Sequence, residues 1–279
     1  MKINKRPVIT WLLQNDIHEI KENISVPNLT NPMHAGYLAN GINALINIQE
    51  ANPRWGLPEL LMPSFEKVMK KSAKAFLKLD HQLFQEFSET DECGILITKE
   101  TGTVVYGFGE NTLYVWMFKE SNGKSLLYMY FYAVSTEDNI RQIYTWPSLK
   151  NDPQIFLNAN KDNDDFYSQI TNLLMVYLAV KKYAPIETII VPTNKTMKFD
   201  STILGHKATE KVRNESGQEV IVMDSRWFTK IVNDNDIFVR GFFRMQNKKN
   251  KEGIWYKELI FIDPFIRHGY HRNAKMEDD

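Results

Sequence analysis

The chain has 279 residues, of which 43% are hydrophobic and 24% charged, which is an ordinary composition for a globular protein with a substantial core. Lysines and arginines together equal aspartates and glutamates in number, which argues against a protein that coats nucleic acid with its whole surface. The single cysteine, Cys93, excludes an intramolecular disulfide and a cysteine-rich zinc site, and it favours a reducing cytosol.

The N-terminal part of the chain predicts helices. Asn31 is suited to cap a first helix and Pro32 to occupy its first position, and Pro53 ends the pattern. A second helix is predicted from Pro63 to Ser88, because apolar residues recur every three or four positions. The stripe of this second helix consists of Phe65, Val68, Ser72, Phe76, Leu79, Leu83 and Phe87.

After this second helix, the sequence pattern changes to one that is typical of β-strands. The runs "GILITK", "TVVYGFG", "TLYVWMFK" and "SLLYMYFYAV" are rich in β-branched and aromatic residues. The turn sequences "ETG", "GEN" and "ESNG" separate them. We therefore predict a four-stranded antiparallel meander from about residue 93 to 134, packed against helices.

The second half of the chain opens with a polar segment. Residues 147–165 are predicted to form a loop. This loop is taken as a boundary between two domains, 1–146 and 147–279. Alternatively, the two parts form one continuous domain. Asp164 or Asp165 is expected to cap a third helix that starts near Phe166. Further on, "ETIIVP" and "EVIVM" predict buried strands, and "DSRWFTKIV" predicts a helical turn. The segments "IFVRGFFRMQ" and "GIWYKELIFID" predict a C-terminal basic β-hairpin, so the expected fold class is α+β.

Motifs of catalysis and cofactor binding are missing from the sequence. There is no phosphate-binding loop and no nucleophile elbow, and no apolar run is long enough to span a membrane. His268 and His271 have the spacing of metal ligands on a helix, but Gly269 and Pro264 disfavour a helix there. No catalytic residue, no metal, no cofactor and no membrane partner is predicted.

Positive charge is concentrated near the C-terminus. From Arg240 to Lys275 there are nine lysines and arginines and three acidic residues, a net charge of +6. In a strand, Arg240, Phe242 and Arg244 would share one face. Val239, Gly241 and Phe243 would share the other. Such a face suits phosphates and stacked bases, or a protein hot spot; alternatively, it is a solvated hairpin whose arginines pair with acidic residues elsewhere in the chain. The predicted binding residues are Arg240, Phe242, Arg244, Gln246, Lys248, Lys249, Trp255, Lys257, Arg267, His268, Tyr270 and Arg272.

The same segment resembles a known family. "VRGFFRMQ" and "WYKELIFIDPFIRHGYHRNAK" are similar to the C-terminal signature of a large family of uncharacterised phage and plasmid proteins, with which we associate an anti-CRISPR protein that acts against type V-A effector nucleases. Phe242 departs from the signature, which has a histidine there. The matching positions are Val239, Arg240, Gly241, Phe243, Arg244, Gln246, Ile262, Pro264, Phe265, His268, Gly269, Tyr270, Arg272, Ala274 and Lys275.

The resemblance implies a protein encoded by a phage or mobile element. We expect a non-catalytic binding protein that acts in the host cytoplasm, with counter-defence as the role that the resemblance implies. Its partner is expected to be a host protein or RNA or DNA. The alternatives are a nucleic-acid-binding accessory protein and a phage enzyme such as a nuclease or a nucleotide-processing protein.

Overall fold

A computed structural model gives the fold of the chain. It describes residues 1–51, 55–63, 65–66, 69, 73, 79–99, 102–121, 123–135, 141–145, 155–158, 166–183, 186–203, 206–225, 236–239, 242–262, 265–268 and 274–277. Both helices and strands are abundant in this part of the chain, so the predicted α+β class is confirmed.

The helices begin where the sequence supplies caps and prolines. The helices with complete boundaries are α1 (Pro7–Gln14), α2 (Ile17–Asn23), α3 (Pro32–Ala51), α4 (Asp80–Glu89) and α5 (Phe166–Tyr183). The Asp16 side chain accepts a hydrogen bond from the Glu19 amide and caps α2. The Asn31 side chain accepts from the amides of Met33 and His34, which confirms the predicted cap of α3.

The strands form two larger sheets and two strand pairs. They are β1 (Lys2–Ile3), β2 (Ile24–Ser25), β3 (Glu59–Leu60), β4 (Cys93–Thr98), β5 (Gly102–Gly109), β6 (Thr112–Ser121), β7 (Lys124–Ser135), β8 (Arg141–Thr145), β9 (Ile155–Asn158), β10 (Ile186–Val191), β11 (Thr196–Ile203), β12 (His206–Asn214), β13 (Val220–Ser225), β14 (Asp236–Val239), β15 (Phe242–Lys249), β16 (Trp255–Ile262), β17 (Phe265–His268) and β18 (Ala274–Glu277). One sheet has ten strands in the order β10-β13-β3-β4-β5-β6-β7-β8-β9, with β2 beside β7. The other has the order β1-β12-β11-β18.

The ten-stranded sheet is mixed. Each consecutive pair from β4 to β9 is antiparallel, and so is the pair of β10 and β13. Strand β3 pairs parallel with both β13 and β4, and β2 pairs parallel with β7. The antiparallel run predicted from 93 to 134 is therefore one part of a larger sheet that also contains segments far apart in sequence.

Helices cover both faces of this sheet. On one face, the Trp116 indole donates to the Gly41 carbonyl of α3 at 2.8 Å, and both Trp116 and Tyr130 are buried. On the other face, Phe108 contacts Phe84 of α4 with ring centroids 5.2 Å apart. Phe131 contacts Tyr167 of α5 in the same way at 5.3 Å. Neighbouring residues of a strand point to opposite faces, so the sheet is the central layer of three.

The chain divides into two compact units. The first comprises residues 1–198, 211–226 and 276–279, and the second comprises residues 199–210 and 227–275. The predicted boundary between 146 and 147 lies inside the first unit, where strands on both sides of it belong to the ten-stranded sheet. The second unit contains the pairs β14–β17 and β15–β16.

Some predicted elements differ from the structure. Residues 155–158, predicted as part of a loop, form β9 and pair with β8. Leu79, predicted on the buried stripe of a helix from Pro63 to Ser88, is 49% exposed, because it is the N-terminal capping residue of a separate helix, α4. Asp224 and Ser225, predicted to begin a helical turn, are the last two residues of strand β13. Phe76, Asp164, Asp165 and the segment "RWFTKIV" lie outside the described residues.

The strand predicted at "ETIIVP" is only partly buried. Val191 is fully buried, whereas Ile190 is 50% exposed. Its strand, β10, is the last strand at one end of the ten-stranded sheet, and a terminal strand has a neighbour on one side only.

Candidate functional site

The predicted C-terminal site falls mainly on the hairpin of β15 and β16. The two strands pair antiparallel from Phe242 opposite Ile262 to Lys249 opposite Trp255. Residues that face each other in such a pair share one side of the hairpin. Lys249 and Trp255 are thus neighbours on one side, and Lys248 and Tyr256 are neighbours on the other.

The turn between the strands is held by the side chain of Asn250. Its Oδ1 atom accepts hydrogen bonds from the amides of Glu252 at 3.0 Å and Ile254 at 2.8 Å. The backbone N–H of Asn250 donates to the backbone carbonyl of Ile254 at 3.0 Å. Gly253 supplies the positive φ of +86° that the turn requires. The backbone that presents residues 248–256 is therefore fixed by local hydrogen bonds.

Large apolar side chains lie exposed at this tip. Ile254 is 60% exposed, Trp255 66% and Tyr256 46%. Other exposed large apolar residues in the described part of the chain are Met33, Leu79, Phe166, Tyr183 and Ile190, which are scattered along the sequence. Single exposed apolar residues are normal on a protein surface, whereas three in succession at the end of a hairpin, with Trp255 on one side and Tyr256 on the other, make this segment a candidate interaction site. We call residues 248–256 the hairpin tip.

Lysines surround the exposed aromatic side chains. The Lys249 ammonium lies 5.7 Å from the centroid of the Trp255 ring, within the range of a cation–π contact. Lys248 is half-buried and Lys251 is exposed in the turn. The hairpin tip therefore combines an apolar surface with positive charge.

The structure brings together only some of the predicted residues. Lys248, Lys249 and Trp255 lie in the hairpin tip, and Gln246 lies further along β15, opposite Glu258. Phe242, Arg244 and Lys257 also belong to the hairpin by their register. Arg267 and His268 lie in β17, which pairs with β14 and not with the hairpin. Arg240, Tyr270 and Arg272 lie outside the described residues.

The segment predicted as one strand from 237 to 246 consists of two strands with different partners. Strand β14 ends at Val239 and pairs with β17, whereas β15 begins at Phe242 and pairs with β16. The predicted alternation of Arg240 and Arg244 on one face assumed a single strand. The positions on which it depends include Arg240 and Gly241, which lie outside the described residues.

The binding residues predicted from the sequence do not include two of the three exposed apolar side chains of the hairpin tip, Ile254 and Tyr256. Both are apolar or aromatic residues in a segment predicted as a strand, and such side chains are usually expected to be buried. The signal that could have found them is their position, because "NKEGIWY" places the apolar run directly after a turn sequence.

No family model, no curated protein and no solved structure matches this chain. Within the described residues, no helix is long and apolar enough to cross a membrane. The same part of the chain contains no group of three or more histidine, cysteine, aspartate or glutamate side chains placed to hold a metal ion.

Proposed function

We propose that this chain is a non-catalytic binding protein that contacts a partner protein through the hairpin tip. The observation that carries the proposal is the exposed run Ile254, Trp255 and Tyr256 on a turn fixed by hydrogen bonds. Tryptophan and tyrosine dominate protein-binding hot spots, because they bury a large area with few rotatable bonds. A rigid turn adds affinity, since less conformational freedom is lost on binding.

The resemblance of the C-terminal segment to phage and plasmid proteins extends this proposal. It supports an origin on a mobile element and action in the host cytoplasm. A role in counter-defence is the one that the resemblance implies. The partner would then be a protein of the host cell.

A nucleic-acid-binding accessory protein is the second candidate. The observation that favours it is the positive charge of Lys248, Lys249 and Lys251 beside the exposed Trp255 ring. Lysines attract the phosphate backbone, and an exposed aromatic ring stacks with an unpaired base. This candidate predicts binding that weakens steeply as the salt concentration rises.

The test compares affinity capture by three forms of the chain. The parent protein, Trp255→Ala and Met33→Ala are each used to capture partners from a bacterial lysate that has been treated with nuclease, and the captured proteins are quantified. Met33 is 62% exposed and lies on α3, so its substitution removes a comparable exposed apolar side chain elsewhere. We expect a partner protein that is lost with Trp255→Ala, whose cost at a hot spot is about 2 kcal/mol or more, and kept with Met33→Ala.

The second candidate is tested with a labelled oligo-dT and a labelled oligo-U at two salt concentrations. Tight, salt-sensitive binding that falls in Lys248→Glu and Lys249→Glu would replace the protein-binding proposal with the nucleic-acid one. Equal capture of every protein by the parent and Trp255→Ala, together with no oligonucleotide binding, would refute both.

A further inference from the structure

A cleft in the first unit lies between α5 and the helical residues Met69 and Ala73. Its volume is about 230 Å³, and its lining is mostly apolar. Among the described residues, those that line it are Met69, Ala73, Gln169, Asn172, Leu173 and Val176. An apolar cavity of roughly 150 Å³ is large enough to bind benzene in another protein. This cleft therefore has room for a small ring with one or two substituents.

The polar residue Asn172 has a fixed orientation in this lining. The Arg141 guanidinium donates a hydrogen bond from Nη2 to Oδ1 of Asn172. A guanidinium can only donate, so the Asn172 atom that faces it must be the amide oxygen and not the nitrogen. The Nδ2 group makes no hydrogen bond within the described part of the chain. It is the donor that Asn172 retains for a ligand.

Arg141 is itself held firmly. Its side chain is 4% exposed, and its Nη1 atom lies 2.9 Å from Oδ1 of Asp80, the first residue of α4. The Nε atom of Arg141 is buried and has no hydrogen-bond partner among the described residues. Buried donors without acceptors are costly, and Nε is one donor of this region that the described residues leave unpaired.

We propose that the cleft binds a small, mostly apolar molecule that carries a neutral carbonyl oxygen, such as a ketone, ester or amide. The apolar lining takes the body of the molecule, and Nδ2 of Asn172 donates to the carbonyl. We expect the ligand to be neutral and not anionic, because Asp80 already balances the charge of Arg141 in an ion pair. This site is separate from the hairpin tip and does not depend on the proposed function.

Two probes of the same shape test the proposal. Acetophenone has a carbonyl oxygen where α-methylstyrene has a methylene group, so the two differ mainly in the hydrogen-bond acceptor. Each is titrated into the isotope-labelled full chain, and the methyl signals of Ala73, Leu173 and Val176 are followed by NMR. We expect both to shift these signals and acetophenone to bind about twofold to tenfold more tightly, the range of one hydrogen bond.

Asn172→Asp removes the donor and keeps an oxygen for Arg141, so the fold should be retained. In this variant the preference for acetophenone should disappear. Asn247→Asp, the same chemical change at an exposed position of the hairpin, should leave the preference unchanged. Ala73→Phe should fill the cleft and weaken both probes. The proposal is overturned if neither probe shifts the cleft signals, or if the two bind equally well to the parent chain.

Discussion

At the residue scale, Glu120 shows how burial changes the chemistry of one side chain. The Ser125 hydroxyl donates to both Glu120 carboxylate oxygens, at 2.9 and 3.0 Å, and the Val8 amide donates to the same hydroxyl at 3.1 Å. Burial is the largest effect and raises the pKa of Glu120 to about 7, although the Ser125 hydrogen bond and the nearby Arg6 act to lower it.

This raised pKa predicts a pH dependence of stability. The folded state holds the Glu120 proton more tightly than the unfolded state does, so the contribution of this proton to stability is complete below pH 4.5. It is lost as the pH rises to about 7. In Glu120→Gln this loss should disappear, and the free energy of unfolding from urea titrations should change less between pH 5 and pH 8 than in the parent.

The control for this prediction is Glu110→Gln, because Glu110 is exposed in the turn between β5 and β6. Its unfolding free energy should follow the pH dependence of the parent. An unchanged pH dependence in Glu120→Gln would show that the carboxyl group of Glu120 is ionised throughout this range.

Single residues were predictable where a local rule applies. Asn31 precedes a proline and a helical pattern, and it caps α3 through its side chain. Trp255 was predicted in a binding site because of its basic neighbours, whereas Ile254 was not, because periodicity alone gives no reason for an isoleucine to be exposed. The Asp80, Arg141 and Asn172 cluster joins residues far apart in sequence, so no local pattern indicates it.

At the scale of elements, helix α3 packs on strand β7 through a glycine. A Cβ atom at Gly41 would lie 2.6 to 2.8 Å from three carbon atoms of Tyr130, closer than real Cβ contacts allow. The Tyr130 ring also lies against Tyr37 and Trp116, which limits where it can move. The small residue therefore sets the distance between the helix and the sheet.

We predict that Gly41→Ala destabilises the protein by about 1–3 kcal/mol, the usual cost of overpacking a core. Gly36 lies on the same helix, and a Cβ there would meet nothing within 4 Å. Gly36→Ala should raise stability by about 0.5–1 kcal/mol, because alanine has the higher helix propensity. Urea or thermal unfolding measures both effects. A stabilised Gly41→Ala would mean that α3 does not pack so closely on Tyr130.

Helices and strands were easier to predict when they were long and had a clear pattern of apolar residues. The runs that form β4, β5, β6 and β7 are long and rich in β-branched and aromatic residues, with turn sequences between them. Strands β1, β2 and β3 have two residues each, too few to show any alternation. Strand β12, "HKATEKVRN", has few apolar residues, so it resembles a loop in composition.

At the scale of the whole molecule, the first unit is assembled from separate stretches of the chain. Strand β13 lies between β10 and β3 in the ten-stranded sheet. In the sequence, however, residues 199–210 of the second unit separate β13 from residues 1–198 of the first unit. Val220 and Val222 of β13 are fully buried. The parallel pairing of Ile221 with Glu59 is non-local and has no signature in the sequence.

A fragment of residues 1–198 should therefore fail to fold like the first unit. Without β13, strands β10 and β3 lose their common neighbour, and the buried valines are missing. We expect a broad, weakly cooperative thermal transition and binding of a hydrophobic dye. In the matched control, residues 248–256 of the full chain are replaced by Asn-Gly. This shortened chain keeps β13 and should keep a sharp thermal transition. A fragment that melts as sharply as the full chain would contradict this dependence.

The central position of β13 also matters while the chain is being made. Ribosomes add about 5–20 residues per second, so β13 emerges roughly ten to thirty seconds after β3, its parallel partner at Glu59–Leu60. Strands β4 to β7 emerge during the first half of this interval, and until β13 follows, the side of β3 that β13 will occupy still has unpaired backbone groups. An open strand edge of this kind pairs readily with other chains. Slower translation or a higher temperature should therefore increase aggregation of nascent chains more than it affects the finished protein.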